Sequence, residues 1–124
     1  MKILLVEDSD ESRAVLRAMI ERLGHQVVEA QNGKEAVKLA VDHQPGLVLM
    51  DLSMPEVDGL QTTGALRAIY DFSRLNHLPI IAITAYPEVL SKEKAFQAGC
   101  DAYLRKPVDL ADLADALNKF VRTG

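Results

Sequence analysis

Leu47-Val48-Leu49-Met50-Asp51, running on into Leu52-Ser53-Met54-Pro55-Glu56-Val57-Asp58-Gly59, decides how the rest of the chain is read. Four apolar residues without a polar interruption fit a strand buried on both faces, and the Pro and Gly residues behind Asp51 keep that strand from continuing. The same arrangement recurs. Ile3-Leu4-Leu5-Val6 leads to Glu7-Asp8, Ile80-Ile81-Ala82-Ile83 to Thr84, and Tyr103-Leu104 to Lys106 just beyond. If these runs are parallel strands of one sheet, all the polar groups arrive at its carboxyl edge, where open α/β sheets bind ligands. Carboxylates gathered there repel by about 4 kcal/mol per pair at about 4 Å and an effective dielectric near 20. A hard divalent cation together with Lys106 answers that repulsion.

Amphipathic segments separate the apolar runs. Val15, Leu16, Met19, Ile20 and Leu23 fall at helical spacing, and Gly24 ends the segment as a left-handed cap. Residues 26–30 read as a short strand, Asn32-Gly33 turns into a helix with Ala36, Val37 and Ala40 facing inward, and Pro45-Gly46 breaks it. Further helices are expected from Leu60 to about Phe72 (inner face Leu66, Ile69 and Tyr70), from Val89 to Ala98 with Gly99 as its stop, and through Leu110, Leu113, Leu117, Phe120 and Val121. Strand and helix alternate five times, so the fold class is α/β, with a parallel sheet covered on both faces and right-handed crossovers. With no linker or repeat, residues 1–124 read as a single domain with no separate output domain.

The 124 residues suffice to bury about two-thirds of the unfolded surface. A net charge of −4 without a Lys/Arg block argues against direct nucleic-acid binding, and no early apolar run has the length of a leader or membrane span. One cysteine, Cys100, excludes an internal disulfide and fits a reducing, cytoplasmic setting. It reads as a packing residue. His25, His43 and His77 lie apart, without metal-ligand spacing, and read as ordinary helix-end or loop residues.

Asp51 is the candidate nucleophile, since an aspartate can attack phosphorus to form an acyl phosphate. Acceptor and phosphoryl group are both negative, so Mg²⁺ would neutralise them, held directly by Asp8, Asp51 and the Ser53 carbonyl and through water by Glu7. Lys106, the Thr84 hydroxyl and the Ala85 N–H would contact the phosphoryl oxygens. Taken singly, each residue has a plainer role as a helix cap, strand terminus or solvated charge. Their joint occurrence at four strand ends is what carries the phosphoryl reading.

Leu5-Val6-Glu7-Asp8, the stretch Val48 to Gly59, Ile83-Thr84-Ala85 and Tyr103-Leu104-Arg105-Lys106-Pro107 together resemble a response-regulator receiver domain of two-component signalling. The resemblance spans essentially the whole chain. It implies a flavodoxin-like (βα)5 three-layer sandwich with sheet order 2-1-3-4-5 (an order for which a member of this family is a standard example) and a cis peptide between Lys106 and Pro107. It also implies phosphotransfer to Asp51 from a sensor histidine kinase or histidine phosphotransfer protein, without turnover of an external substrate. Thr84 and Tyr103 would act as the switch, reshaping the face of the fourth helix, fifth strand and fifth helix for a downstream protein target.

Two departures bear on lifetime and setting. Ser53 is small and Tyr86 bulky at the positions that flank the path of attacking water in the family. The acidic and small residues from Val108 to Leu113 look closer to a stand-alone regulator or a hybrid-kinase receiver than to a DNA-binding regulator, while Ser9 and Ser12 depart from the hybrid pattern. Two rival functions are a small phosphatase of the haloacid dehalogenase type and an interaction module that takes no phosphate. The phosphatase would need an aspartate where Ser53 stands and its nucleophile on the first strand.

Overall fold

A computed structural model describes residues 1–52, 58–73, 77–85 and 88–120 of the chain. Its elements alternate throughout: β1 (Lys2–Val6), α1 (Asp10–Arg22), β2 (Gln26–Ala30), α2 (Gly33–His43), β3 (Leu47–Asp51), α3 (Asp58–Ser73), β4 (Ile80–Thr84), α4 (Glu88–Ala98), β5 (Ala102–Arg105) and α5 (Leu110–Asn118). All strand pairings are parallel, and the five-stranded sheet has the order β2-β1-β3-β4-β5. This is the flavodoxin-like order that the family resemblance implies.

Strand parity builds the layers. Leu4, Val6, Val48, Met50, Ile80 and Ala82 pack on one face with Ala36 and Ala40 of α2, Leu66 of α3 and Ala95 of α4. Ile3, Leu5, Leu47, Leu49, Ile81 and Ile83 pack on the other with Leu16 and Ile20 of α1 and with Leu113 and Leu117 of α5. Successive side chains of a strand point to opposite faces, so runs that are apolar at every position need helices on both sides. Each fully buried Leu or Ile stabilises the fold by about 2 kcal/mol.

Local signals set the helix ends. Ser9, Asn32 and Asp109 cap α1, α2 and α5, accepting from the N–H groups of Ser12, Glu35 and Ala111 at 3.3, 2.8 and 2.7 Å. Gly24 and Gly99 take positive φ of 91° and 111° behind α1 and α4, as their positions after the apolar pattern predict. The second helix closes differently from the expected Pro45-Gly46 break, with Gln44 itself in the left-handed conformation at φ 49°. Among the described residues, Val15 is the one expected inward residue that the fold leaves out: it is 56% exposed. The inner-face assignments of Tyr70 and Val121 lie outside the described residues.

The amino edge of the sheet is tied by Asp101. Its carboxylate accepts from Arg67 Nη2 at 2.6 Å, from the Ile80 N–H at 2.8 Å and lies 2.7 Å from His77 Nε2. Arg67 Nε also donates to the Gly99 carbonyl at 2.9 Å. A Cβ on Gly99 would come within 2.9 Å of Arg67 Cγ in a backbone conformation that disfavours side chains. Gly99→Ala is therefore expected to cost about 1–3 kcal/mol, read as a lower urea midpoint; an unchanged midpoint would show that the turn relaxes without loss.

Candidate functional site

The carboxyl edge gathers the residues singled out in the sequence. Asp51 and Thr84 are the last residues of β3 and β4, inside their strands rather than just past them. Glu7 and Asp8 follow β1, and Lys106 follows β5. Glu7, Asp51 and Thr84 are buried, and Asp8 is exposed at the mouth. One carboxylate oxygen from each of Glu7, Asp8 and Asp51 falls within 4.8 Å of the others. Ser53, Tyr86 and the loop between β3 and α3 lie outside the described residues.

Lys106 joins the cluster from the far end of the chain. Its Nζ donates to Glu7 Oε1 at 2.9 Å and to Asp51 Oδ2 at 3.2 Å. Its own N–H donates to the Thr84 carbonyl at 2.9 Å, so the turn after β5 is pinned to the end of β4, and the Lys106–Pro107 peptide is cis. Burial works against the ammonium charge, but the hydrogen bond to Glu7 and the charges of Asp51 and Glu7 outweigh it and raise the Lys106 pKa. Desolvation, reinforced by the neighbouring Asp51 carboxylate, pushes the Glu7 carboxyl up to about 7 despite Lys106. Without metal, a proton on Glu7 thus shares with Lys106 the work of relieving the repulsion.

Asp51 is also held from beneath. A Cβ on Gly59 would stand 2.6 Å from the Asp51 carbonyl oxygen and 3.0 Å from Leu52 Cα, so α3 can start this close to the strand end only with glycine there. Thr63 Oγ1 donates to the Gly59 carbonyl at 2.8 Å. The donor set itself is all carboxylate oxygen, which suits a hard, oxygen-seeking cation. Glu7 Oε2 is buried and meets no hydrogen-bond donor among the described residues. These two observations fit Mg²⁺ at Glu7, Asp8 and Asp51.

Beside Lys106 a groove of about 490 Å³ runs along α1, walled by Val15, Leu16 and Met19 on one side and by Ala85, Pro107 and Val108 on the other. Its apolar wall accounts for the exposure of Val15. The sequence reading missed this surface because a helical stripe wider than its buried contact looks the same in sequence as a core stripe.

The response regulator receiver domain family matches residues 3–118. The chain belongs to this family. Among curated relatives, the polar-differentiation response regulator DivK of Brucella anthropi is 35% identical over 119 residues, covering 96% of this chain and 94% of that protein. Among solved structures, the receiver domain of sensor histidine kinase PA1611 from Pseudomonas aeruginosa, with a magnesium ion in its active-site cleft, superposes with a TM-score of 0.84 at 36% identity, covering 96% of this chain and 95% of that one. The Ssk1 receiver of Saccharomyces cerevisiae, solved with the histidine phosphotransfer protein Ypd1, gives 0.85 at 28% identity over 97% and 88% of the two chains. Receiver domains are signalling domains of two-component systems rather than classical enzymes, and their acidic pocket binds Mg²⁺. No described helix is long and apolar enough to cross a membrane.

The raised Glu7 pKa fixes a sign for stability against pH. Between the ordinary value of 4.5 and about 7 the folded chain binds more protons at Glu7 than the unfolded chain does. That stabilisation is complete below 4.5 and is lost as pH rises through about 7. In metal-free buffer the natural receiver should therefore lose on the order of 2–3 kcal/mol relative to Glu7→Gln across this interval. Denaturant midpoints of the two proteins measured in parallel check it, and parallel pH profiles would refute it.

Proposed function

We propose that this receiver takes a phosphoryl group from a partner's phosphohistidine onto Asp51 in a Mg²⁺-dependent reaction, then changes its α4-β5-α5 face to control a downstream protein. The observation that carries the reading is the buried Asp51 carboxylate held by Lys106 Nζ at 3.2 Å, beside two further carboxylates and at the carboxyl edge of the sheet. An Asp51 carboxylate oxygen attacks phosphorus, the phosphorus–nitrogen bond of the donor breaks, and its imidazole leaves with the bonding pair. Glu7, Asp8 and Asp51 would hold Mg²⁺, together with the Ser53 carbonyl, and the ion supplies charge neutralisation between acceptor and phosphoryl group. Lys106 already faces the acceptor oxygen, so it meets the incoming phosphoryl oxygens without moving far. The Thr84 hydroxyl and the Ala85 N–H supply the remaining donors.

Strand geometry supports the switch assignment. Thr84 shares the parity of Ile80 and Ala82, which pack on the α2–α3–α4 face, and Tyr103 pairs with Ala82 and packs on that same face. Thr84 and Tyr103 are thus diagonal neighbours on one side of adjacent strands. A shift of Thr84 toward a new phosphoryl group, which carries about −1.5 to −2 charges, opens space where Tyr103 lies. Because Tyr103 sits on β5 between α4 and α5, its movement reshapes that face.

The groove along α1 opens beside Lys106, where a protein donor must approach, and its apolar wall suits a helix of a histidine kinase or phosphotransfer protein. The Ssk1 receiver bound to Ypd1 supports such a partner. In this reading the output runs through protein contacts, without a direct part for nucleic acid or for membrane insertion.

Intact mass after incubation with Mg²⁺ and acetyl phosphate should show one phosphoryl adduct on the natural chain and none on Asp51→Asn; an adduct on that variant would move the acceptor elsewhere. Val15→Asp separates docking from chemistry. It should slow transfer from a phosphorylated histidine phosphotransfer protein at least tenfold, the loss of about 1.4 kcal/mol of apolar contact, and leave acetyl phosphate labelling unchanged. Equal slowing with both donors would place the donor protein on another surface.

A further inference from the structure

Arg13 is a residue that nothing in the phosphoryl reading uses. It lies in the first turn of α1, its side chain is only 12% exposed, and its Nη1 donates to the backbone carbonyl of Glu7 at 3.0 Å. Two carboxylates hold the guanidinium in place: Asp10 Oδ1 lies 2.5 Å from Nη2 and Glu29 Oε1 on β2 lies 3.7 Å from Nε. The Glu7 backbone is fixed on its other side as well, where its N–H donates to the Ala30 carbonyl at 3.0 Å. The carbonyl that Arg13 grips belongs to the peptide unit joining Glu7 to Asp8. A planar peptide moves as one body, so its orientation sets where both side chains begin.

We propose that Arg13 is a positioning residue for the acidic pocket: by holding the Glu7 carbonyl it sets the Glu7–Asp8 peptide plane and so aims both carboxylates at the metal site. The proposal rests on the metal-site reading given above. A guanidinium fits the task because its fork of donors serves a carbonyl and two carboxylates at once, and Asp10 and Glu29 restrain it against rotation. Losing a hydrogen bond that orients a metal's ligands commonly costs about 10–100-fold in affinity.

Electrostatics makes the test a test of sign. Arg13 brings positive charge close to the pocket, so its removal should by Coulomb interaction alone tighten Mg²⁺ binding. Positioning predicts the reverse. Arg13→Met keeps an apolar stem of similar length and removes every donor. Calorimetric titration of the full chain with Mg²⁺ should show affinity about tenfold weaker in Arg13→Met. Arg13→Lys, which retains a donor of similar reach, should recover binding to within about threefold of the natural chain. Glu29→Gln, which loses the ion pair but leaves the carbonyl contact, should stay within about twofold.

Unchanged or tighter binding in Arg13→Met would overturn the proposal. So would Arg13→Lys binding no better than Arg13→Met, or Glu29→Gln weakening Mg²⁺ as much as Arg13→Met does. A second readout needs no metal: the carbonyl ¹³C resonance of Glu7 should move in Arg13→Met and return toward its natural position in Arg13→Lys. If the natural chain itself binds no Mg²⁺, the metal-site reading fails, and this resonance alone decides the contact. An unmoved resonance in Arg13→Met would overturn it.

Discussion

Lys106 Nζ lies 2.9 Å from Glu7 Oε1 and 3.2 Å from Asp51 Oδ2, and the rest of the site depends on that bridge. Parallel strands bring every carboxyl end to one edge, so a chain that places acids behind two of its strands must also bring a cation there. The lysine follows the last strand, 99 residues away from Glu7 in sequence. Its delivery requires the sheet to be complete, because the turn that carries it hangs from the Thr84 carbonyl on β4. The fold's final strand therefore finishes both the hydrophobic sandwich and the charge balance of the pocket.

The two edges of the sheet hold their carboxylates in different ways. Asp101 at the amino edge is surrounded by Arg67, His77 and the Ile80 N–H, and these occupy both of its oxygens. Glu7 at the carboxyl edge is fully buried, yet Oε2 meets no donor among the described residues. Its carboxyl is accordingly pushed up to about 7. An unfilled acceptor of this kind is costly unless a proton or a cation occupies it. Glu7 thus keeps an acceptor that no described donor fills, whereas both oxygens of Asp101 are taken up by protein donors.

Rigid support surrounds the acidic groups. Gly59 lets α3 begin against the Asp51 carbonyl, Arg13 grips the Glu7 carbonyl, and Ala30 receives the Glu7 N–H. Held backbone leaves side-chain rotation and small loop shifts as the available responses to added charge. The apolar packing beneath the pocket continues into Tyr103, which lies on the same sheet face as Thr84.

Apolar runs of four, helical spacing and turn residues such as Gly24, Asn32 and Gly99 were enough to place the strands and to end most helices, because both depend on interactions within a few residues. The acidic groups, Thr84 and Lys106 were legible for a related reason: in a parallel sheet, position at a strand's end converts directly into position at one edge. What the sequence could not supply were contacts whose partners are backbone atoms or distant side chains. Arg13 looks like a solvated helix charge until β1 and α1 are folded together, and His77 looks idle until Asp101 is set beside it. Val15 carries the spacing of a core residue, and only the placement of Pro107 and Val108 leaves it lining an open groove. Periodicity encodes which side of a helix is apolar; how far the neighbouring elements cover that side is decided by the tertiary packing alone.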